Sequence, residues 1–280
     1  MTYRLALVAA ALMLAACPGA RGASSVPAFG HVIVVVFENK DEGQVIGSRE
    51  APTFTQLAKR YVRLTHYDAI THPSLPNYLA LISGSTHGVR RDCTQCVVNA
   101  PNLGDTLAAA GRSWKAYAEG LPRPGYTGAR HGLYAKKHVP FLYFRDVVRS
   151  PARRARVVQL TQLAVDVRGD TLPDFALVVP NLCNSMHDCP IKTGDAWLRR
   201  LLPPLLELPD TLVFVTFDEG LPLRGHNRVP ALALGTLVRP GTQSAQVTGH
   251  YGLLRTIETA WGLPLLGRSA RAAPITGIWR

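Results

Sequence analysis

The run His31-Val-Ile-Val-Val-Val-Phe37 decides the fold. A β-branched stretch with no polar alternation cannot present a face to water, so it reads as a strand buried on both sides, the mark of a parallel sheet. Phe175 to Val179, Thr211 to Phe217 and, more weakly, Ala231 to Gly235 repeat the signal. Helical patterns lie between them: Thr53 to Tyr61, Leu75 to Ser83, Leu103 to Ala110, Ala155 to Val165, Asp195 to Leu206 and Gly252 to Trp261. Buried strands alternating with helices predict an α/β fold, a three-layer α/β/α sandwich around a mostly parallel central sheet. The stretch Glu119 to Arg149 is rich in Gly, Pro, Tyr and His and lacks periodicity. It reads as a long excursion from the sheet, of the kind that carries function.

At 280 residues and 47% hydrophobic, the chain can bury one large core, and at 18% charged it is no disordered chain. The net charge is +12, with a local run at Arg149, Arg153, Arg154 and Arg156. That surplus attracts anions such as phosphorylated substrates or acidic lipid; the run itself reads first as a solvated helix face. No aromatic residues interleave with it as a base-stacking surface would require, so nucleic acid is not an expected partner.

Arg4 precedes the apolar run Leu5 to Ala16, which ends Leu14-Ala15-Ala16-Cys17. A basic start, a brief apolar stretch and small residues read as a secretory leader, too short to span a bilayer. The ending resembles a bacterial lipoprotein processing site, which would make Cys17 a lipidated first residue. An ordinary leader cut near Ala20 or Gly22 is the alternative. The expected organisation is a leader over 1–17, a linker over 18–28 and one domain over 29–280, exported to the periplasm or anchored at the outer membrane. Beyond Cys17, the cysteines form two close pairs, Cys93/Cys96 and Cys183/Cys189. In an exported protein these read as disulfides, with local pairing the simplest arrangement and a zinc site the alternative.

Ligands of a parallel sheet bind beyond the carboxyl ends of its strands. The first strand is followed by Glu38-Asn39, the Phe175 strand by Pro180-Asn181, Asn184, His187 and Asp188, and the Thr211 strand by Asp218-Glu219-Gly220. Alone, an acidic residue there is a helix cap or turn former. Three such clusters in register supply the hard oxygen donors a divalent cation takes. Separately, Thr71-His-Pro-Ser74-Leu-Pro-Asn77-Tyr leads into a helix. Ser74 there is either an N-cap or a nucleophile, and the free N–H groups of the first turn would favour a phosphate.

Together these blocks resemble a known family. Ile33-Val-Val-Val-Phe-Glu38-Asn39, Pro73-Ser74-Leu-Pro-Asn77-Tyr, Pro180-Asn181 with His187-Asp188, Thr216-Phe-Asp218-Glu219-Gly220 and His250-Tyr-Gly-Leu-Leu-Arg-Thr-Ile-Glu258 stand in order over His31 to Leu266. They look like the bacterial phosphoesterase family of acid phosphatases and phospholipases C, within the alkaline-phosphatase-like superfamily. The resemblance implies Ser74 as nucleophile and a divalent metal on Glu38, Asn39, Asp218 and Glu219. It further implies Asn77 and His250 on the phosphoryl oxygens, and His138 and His187 in proton transfer. Ser185 stands where many relatives carry an acidic residue, so one metal site is expected more firmly than two. The short chain favours a phosphomonoesterase acting on small phosphorylated substrates. A phospholipase C or other phosphodiesterase, and a non-catalytic phosphoryl-binding lipoprotein, are the competing readings.

Overall fold

The computed structural model describes residues 26–222 and 226–280. Its main sheet contains β1 (His31–Phe37), β2 (Val62–Leu64), β3 (Trp114–Ala118), β4 (Val157–Gln159), β5 (Phe175–Val179), β6 (Thr211–Phe217), β7 (Ala231–Leu234) and β8 (Gln243–Ser244). The spatial order is β8-β2-β7-β6-β1-β5-β3-β4. β1 lies at the centre, parallel to β5 and β6, and every residue from Val32 to Phe37 is buried. β3 continues the parallel set to β4, whereas β7 runs antiparallel to β6 and β2. The architecture is therefore the expected α/β sandwich with a mostly parallel sheet.

Two helix groups cover the sheet. α1 (Pro52–Arg60) packs with α5 (Ile191–Leu201). There the Phe37 ring meets Phe54 edge-on at 5.2 Å and Trp197 at 5.6 Å, and stacks on Phe217 at 5.3 Å. The second group is α2 (Ser74–Ser83) with α3 (Leu103–Ala109) and α6 (His250–Trp261). Every residue of α2 is buried, as expected of a helix enclosed by its neighbours.

Two expectations need correction. The pattern from Ala155 to Val165 is not one helix but the edge strand β4 followed by α4 (Thr161–Arg168). Val157 and Val158 suit a strand, and parallel pairing with Ala116 and Tyr117 decides the matter. β3 itself was not expected, because Lys115 interrupts its apolar pattern; Lys115 Nζ is instead paired with Asp166 at 2.6 Å. The arginine run is partly held in place: Arg153 bridges Asp105 at 2.6 Å and Asp146 at 3.0 Å. Val26 is already buried, so packed chain reaches into the stretch read as linker. The leader and Cys17 lie outside the described residues. Among the described residues no helix is long and apolar enough to cross a membrane. Both disulfides form locally, Cys93–Cys96 and Cys183–Cys189.

Candidate active site

β1 and β6 end side by side, Phe37 in register with Phe217, so Glu38-Asn39 and Asp218-Glu219 emerge together at one sheet edge. Asn39 turns the chain at φ 48, a left-handed conformation that Asn tolerates better than most residues. The turn brings its N–H to Asp218 Oδ1 at 3.3 Å, while Nδ2 donates to Glu219 Oε1 at 2.8 Å.

Ser74 opens α2 facing this group. The N-cap position is Pro73, so the Ser74 hydroxyl is not spent on capping its own helix. It lies 3.1 Å from Glu38 Oε2 and 3.2 Å from Glu219 Oε1, and its single proton serves one carboxylate at a time. Tyr78, one helical turn on and therefore on the same face, donates its hydroxyl to Glu38 Oε1. Of the two readings of Ser74, the geometry excludes the cap. It also corrects one expectation: the first-turn N–H of Leu75 is not free, because Asp92 Oδ1 accepts it at 3.0 Å.

The excursion after β3 delivers His138, buried, with its ring stacked on Tyr78 at 5.4 Å and Nε2 3.3 Å from Glu38 Oε2. The loop closed by Cys183–Cys189 delivers His187, whose ring lies 5.8 Å from that of His138. His187 donates Nδ1–H to Asp188 Oδ1 at 2.6 Å, which leaves Nε2 toward the site. Glu119, at the end of β3, holds that loop through Asn181 N at 3.0 Å and Asn184 Nδ2 at 2.9 Å. Ser185, in the same loop, accepts the Glu38 N–H on its carbonyl at 3.0 Å.

Asn77 and His250 are placed differently from the direct contacts the resemblance implied. Asn77 Oδ1 accepts from Ile70 N and Thr71 N, and Nδ2 donates to the carbonyls of Thr71 and Pro73 at 2.7 and 3.0 Å. Both amide protons are thus used on the loop that leads to Ser74. His250 Nε2–H donates to the Asp218 carbonyl at 2.7 Å, and Nδ1 accepts from the Tyr67 hydroxyl at 3.0 Å. Burial lowers its pKa to about 4, so it is neutral and fixes the Asp218 backbone.

The carboxylates are mutually uncomfortable. Burial, then the charge of Asp218, raises Glu38 well above the ordinary range. Asp218 is pushed up to about 7 by burial and by Glu219. Glu219 is raised by burial although His72 pairs with its Oε2. Burial, then Lys137, holds His138 well below the usual imidazole value. Asn39 Oδ1 and Asp218 Oδ2 are buried without a hydrogen-bond partner among the described residues. Repelling carboxylates and orphaned oxygens on one side of Ser74 fit a divalent cation, which would relieve both. Glu38, His138 and His187 also set ligand atoms within 4.8 Å of one another, a possible metal-binding triad.

Sequence reasoning missed His72, Tyr78, Asp92, Lys137 and Glu119. Tyr78 carried a signal, its helical spacing from Ser74. Asp92 and Glu119 carried none, because their partners are 17 and 62 or more residues away.

The sequence model of the Phosphoesterase family matches residues 46–264. Over 283 residues the chain is 38% identical to the phosphatidylinositol-3-phosphatase of Mycobacterium tuberculosis, covering 97% of this chain and 92% of that relative. It is 33% identical over 256 residues to a probable acid phosphatase of Kluyveromyces lactis, covering 86% of this chain and 60% of that longer protein. Among solved structures, an alkaline phosphatase superfamily protein from Vibrio parahaemolyticus superposes with a TM-score of 0.64 at 14% identity, covering 89% of this chain and 71% of that one.

Proposed function

The chain belongs to the Phosphoesterase family, and from that premise we propose that it is an exported, metal-dependent phosphomonoesterase working through a phosphoserine at Ser74. The observation that carries this reading is the Ser74 hydroxyl, free of any capping role, 3.1 Å from Glu38 and 3.2 Å from Glu219 at the sheet edge.

Phosphoryl transfer calls for an activated nucleophile, charge stabilisation and a proton donor for the departing oxygen. Ser74 Oγ attacks phosphorus and gives its proton to Glu219, whose other oxygen is supported by His72. The departing oxygen takes a proton from Nε2 of His187 in its imidazolium form, which Asp188 supports at Nδ1. In the second half, water attacks the phosphoserine and returns a proton to His187, and Ser74 recovers its own from Glu219. His138, neutral in its buried position, donates a hydrogen bond to a phosphoryl oxygen. Asn77 holds the Ile70–Pro73 loop and His250 holds Asp218, so both act on phosphate binding through position. A divalent ion on Glu38, Asn39, Asp218 and Glu219 would supply the positive charge that lowers the pKa of the Ser74 hydroxyl and balances the carboxylates.

Two disulfides favour an oxidising compartment, in keeping with the leader. Attachment to a membrane would then rest on lipidated Cys17. The near full-length relative named for a phosphatase favours monoesters. The test is p-nitrophenyl phosphate hydrolysis with EDTA and with added divalent metals, beside bis-p-nitrophenyl phosphate and phosphatidylcholine. Metal-dependent release from the monoester alone is expected. Preference for the diester or lipid would move the reading to a phospholipase C. Silence on all three by folded, metal-loaded protein would leave a phosphoryl-binding lipoprotein.

A further inference from the structure

A cavity of about 290 Å³ opens beside His187. Its apolar lining includes Tyr143, Leu182 and Ala129, and its charged lining is Asp92, Lys137 and Arg130. The Asp92 carboxylate is already engaged on both oxygens, by Leu75 N at 3.0 Å and by Lys137 Nζ at 2.8 Å. Lys137 Nζ in turn lies 3.4 Å from His187 Nε2, so this cation stands at the join between cavity and reaction centre. Arg130 is 64% exposed, and Asp188 stands 3.6 Å away. An ion pair that loose and that wet holds its arginine weakly and leaves the guanidinium able to receive another anion. Both cations lie close enough to His138 to disfavour its protonated form. The cavity thus has two cations, one of them largely uncommitted, against one fully engaged carboxylate.

The position of His187 says which part of a substrate belongs there. On the phosphomonoesterase reading, on which this inference rests, His187 protonates the departing oxygen, so the cavity beside it receives the leaving group. Its volume is at the low end for small-molecule sites, enough for a sugar-sized polyol and too small for acyl chains. We propose that this cavity is a leaving-group subsite selecting monophosphate esters of a small polyol that bears a second anionic group, received by Arg130 and Lys137. A free polyol bisphosphate and the headgroup of a phosphorylated inositol lipid share that chemistry, and in the lipid the chains would remain outside.

The test compares kcat/KM for inositol 1,3-bisphosphate with that for p-nitrophenyl phosphate, in the metal-loaded full chain and in Arg130→Gln and Arg130→Glu. The split between KM and kcat separates the subsite from any effect of Arg130 on the Asp188–His187 pair. Such an effect would lower kcat for the polyol ester, whose departing alkoxide needs a proton that p-nitrophenolate does not; a fall in the ratio through kcat alone overturns the subsite. The ratio is expected to fall about tenfold in Arg130→Gln and further in Arg130→Glu, through KM; an unchanged ratio overturns the subsite. Calorimetric binding of inositol 1,3-bisphosphate to Ser74→Ala reads the same site without turnover. Weakening of tenfold or more by added Arg130→Glu supports the subsite even if the wild-type chain is silent on p-nitrophenyl phosphate, in which case only the catalytic reading fails. Equal binding by both overturns it. A parallel assay on vesicles containing phosphatidylinositol 3-phosphate separates the sources: Arg130-dependent turnover of either compound supports the subsite and names its source, and Arg130-independent turnover of both overturns it.

Discussion

Asp92 Oδ1 accepts the backbone N–H of Leu75, the residue that follows Ser74, at 3.0 Å. Its other oxygen receives Lys137 Nζ at 2.8 Å, and Cys93, next in sequence, is tied to Cys96. A carboxylate at the first turn of a helix satisfies an orphan donor and opposes the positive end of the helix dipole. Asp92→Ala removes both effects and is expected to cost about 1–2 kcal/mol of stability. Asp92→Asn keeps an acceptor for Leu75 and should cost clearly less. Denaturant unfolding of the two variants checks the order; equal losses would assign the whole effect to the Lys137 pair.

Ser74→Ala is expected to fold and to bind metal nearly as the parent does, while turnover falls at least ~10⁴-fold. The hydroxyl is one small polar group among several around the carboxylates, and its loss leaves Tyr78 and Asn39 in place. Steady-state hydrolysis of p-nitrophenyl phosphate, with metal analysis of the same sample, decides it. Hydrolysis at the parental rate would remove Ser74 as nucleophile.

Asp218→Asn should lose metal and activity together, because Asp218 Oδ2 is a buried oxygen with no other partner among the described residues. A ligand that binds only the folded state stabilises it by about 2.7 kcal/mol at a hundredfold excess over its Kd. Added divalent metal is therefore expected to raise the Tm of the parent well above its value in EDTA and to leave Asp218→Asn almost unmoved. Since protons compete for carboxylates raised toward neutrality, the metal-induced shift should be larger at pH 8 than at pH 5. Full metal occupancy in Asp218→Asn would take Asp218 off the ligand list.

The legible part of this molecule was what local sequence encodes. β1, β5 and β6 are buried on both faces, and their apolar runs announce that without any partner being known. Since ligands gather at the ends of such strands, Glu38, Asn39, Asp218 and Glu219 could be named as candidates, and the register of Phe37 with Phe217 is what sets them side by side. β3 was hidden because Lys115 looks like a break until Asp166 is brought to it from 51 residues away. β4 looked helical because a three-residue edge strand is defined by its neighbour rather than by its own period. The same holds at the site. Ser74 could be named, but whether its hydroxyl caps the helix or meets Glu38 depends on a contact across 36 residues. Asn77 and His250 sit in the right motifs, yet their hydrogen bonds go to backbone carbonyls that no spacing rule reveals.

Glu258 offers a test in pH. It is buried in α6, where Oε1 accepts Leu266 N at 2.9 Å and Oε2 accepts the Ser269 hydroxyl at 2.5 Å. The turn it holds packs on the far end of α2: Arg268 N donates to the Gly84 carbonyl at 2.7 Å, and a Cβ on Gly84 would fall 1.8 Å from Leu266 O. Burial pushes its carboxyl up to about 7, against hydrogen bonds that lower it. The folded state therefore holds this proton more tightly than the unfolded chain. The resulting stability is fully present below the unfolded value near 4.5 and is lost as pH rises through about 7, at most roughly 3 kcal/mol in all. Glu258→Gln keeps an acceptor for Leu266 and cannot ionise. Its stability relative to the parent should thus improve steadily between pH 4.5 and 7, as measured by urea unfolding in EDTA at several pH values. A difference between the two proteins that stays constant across that range would show that Glu258 is ionised throughout.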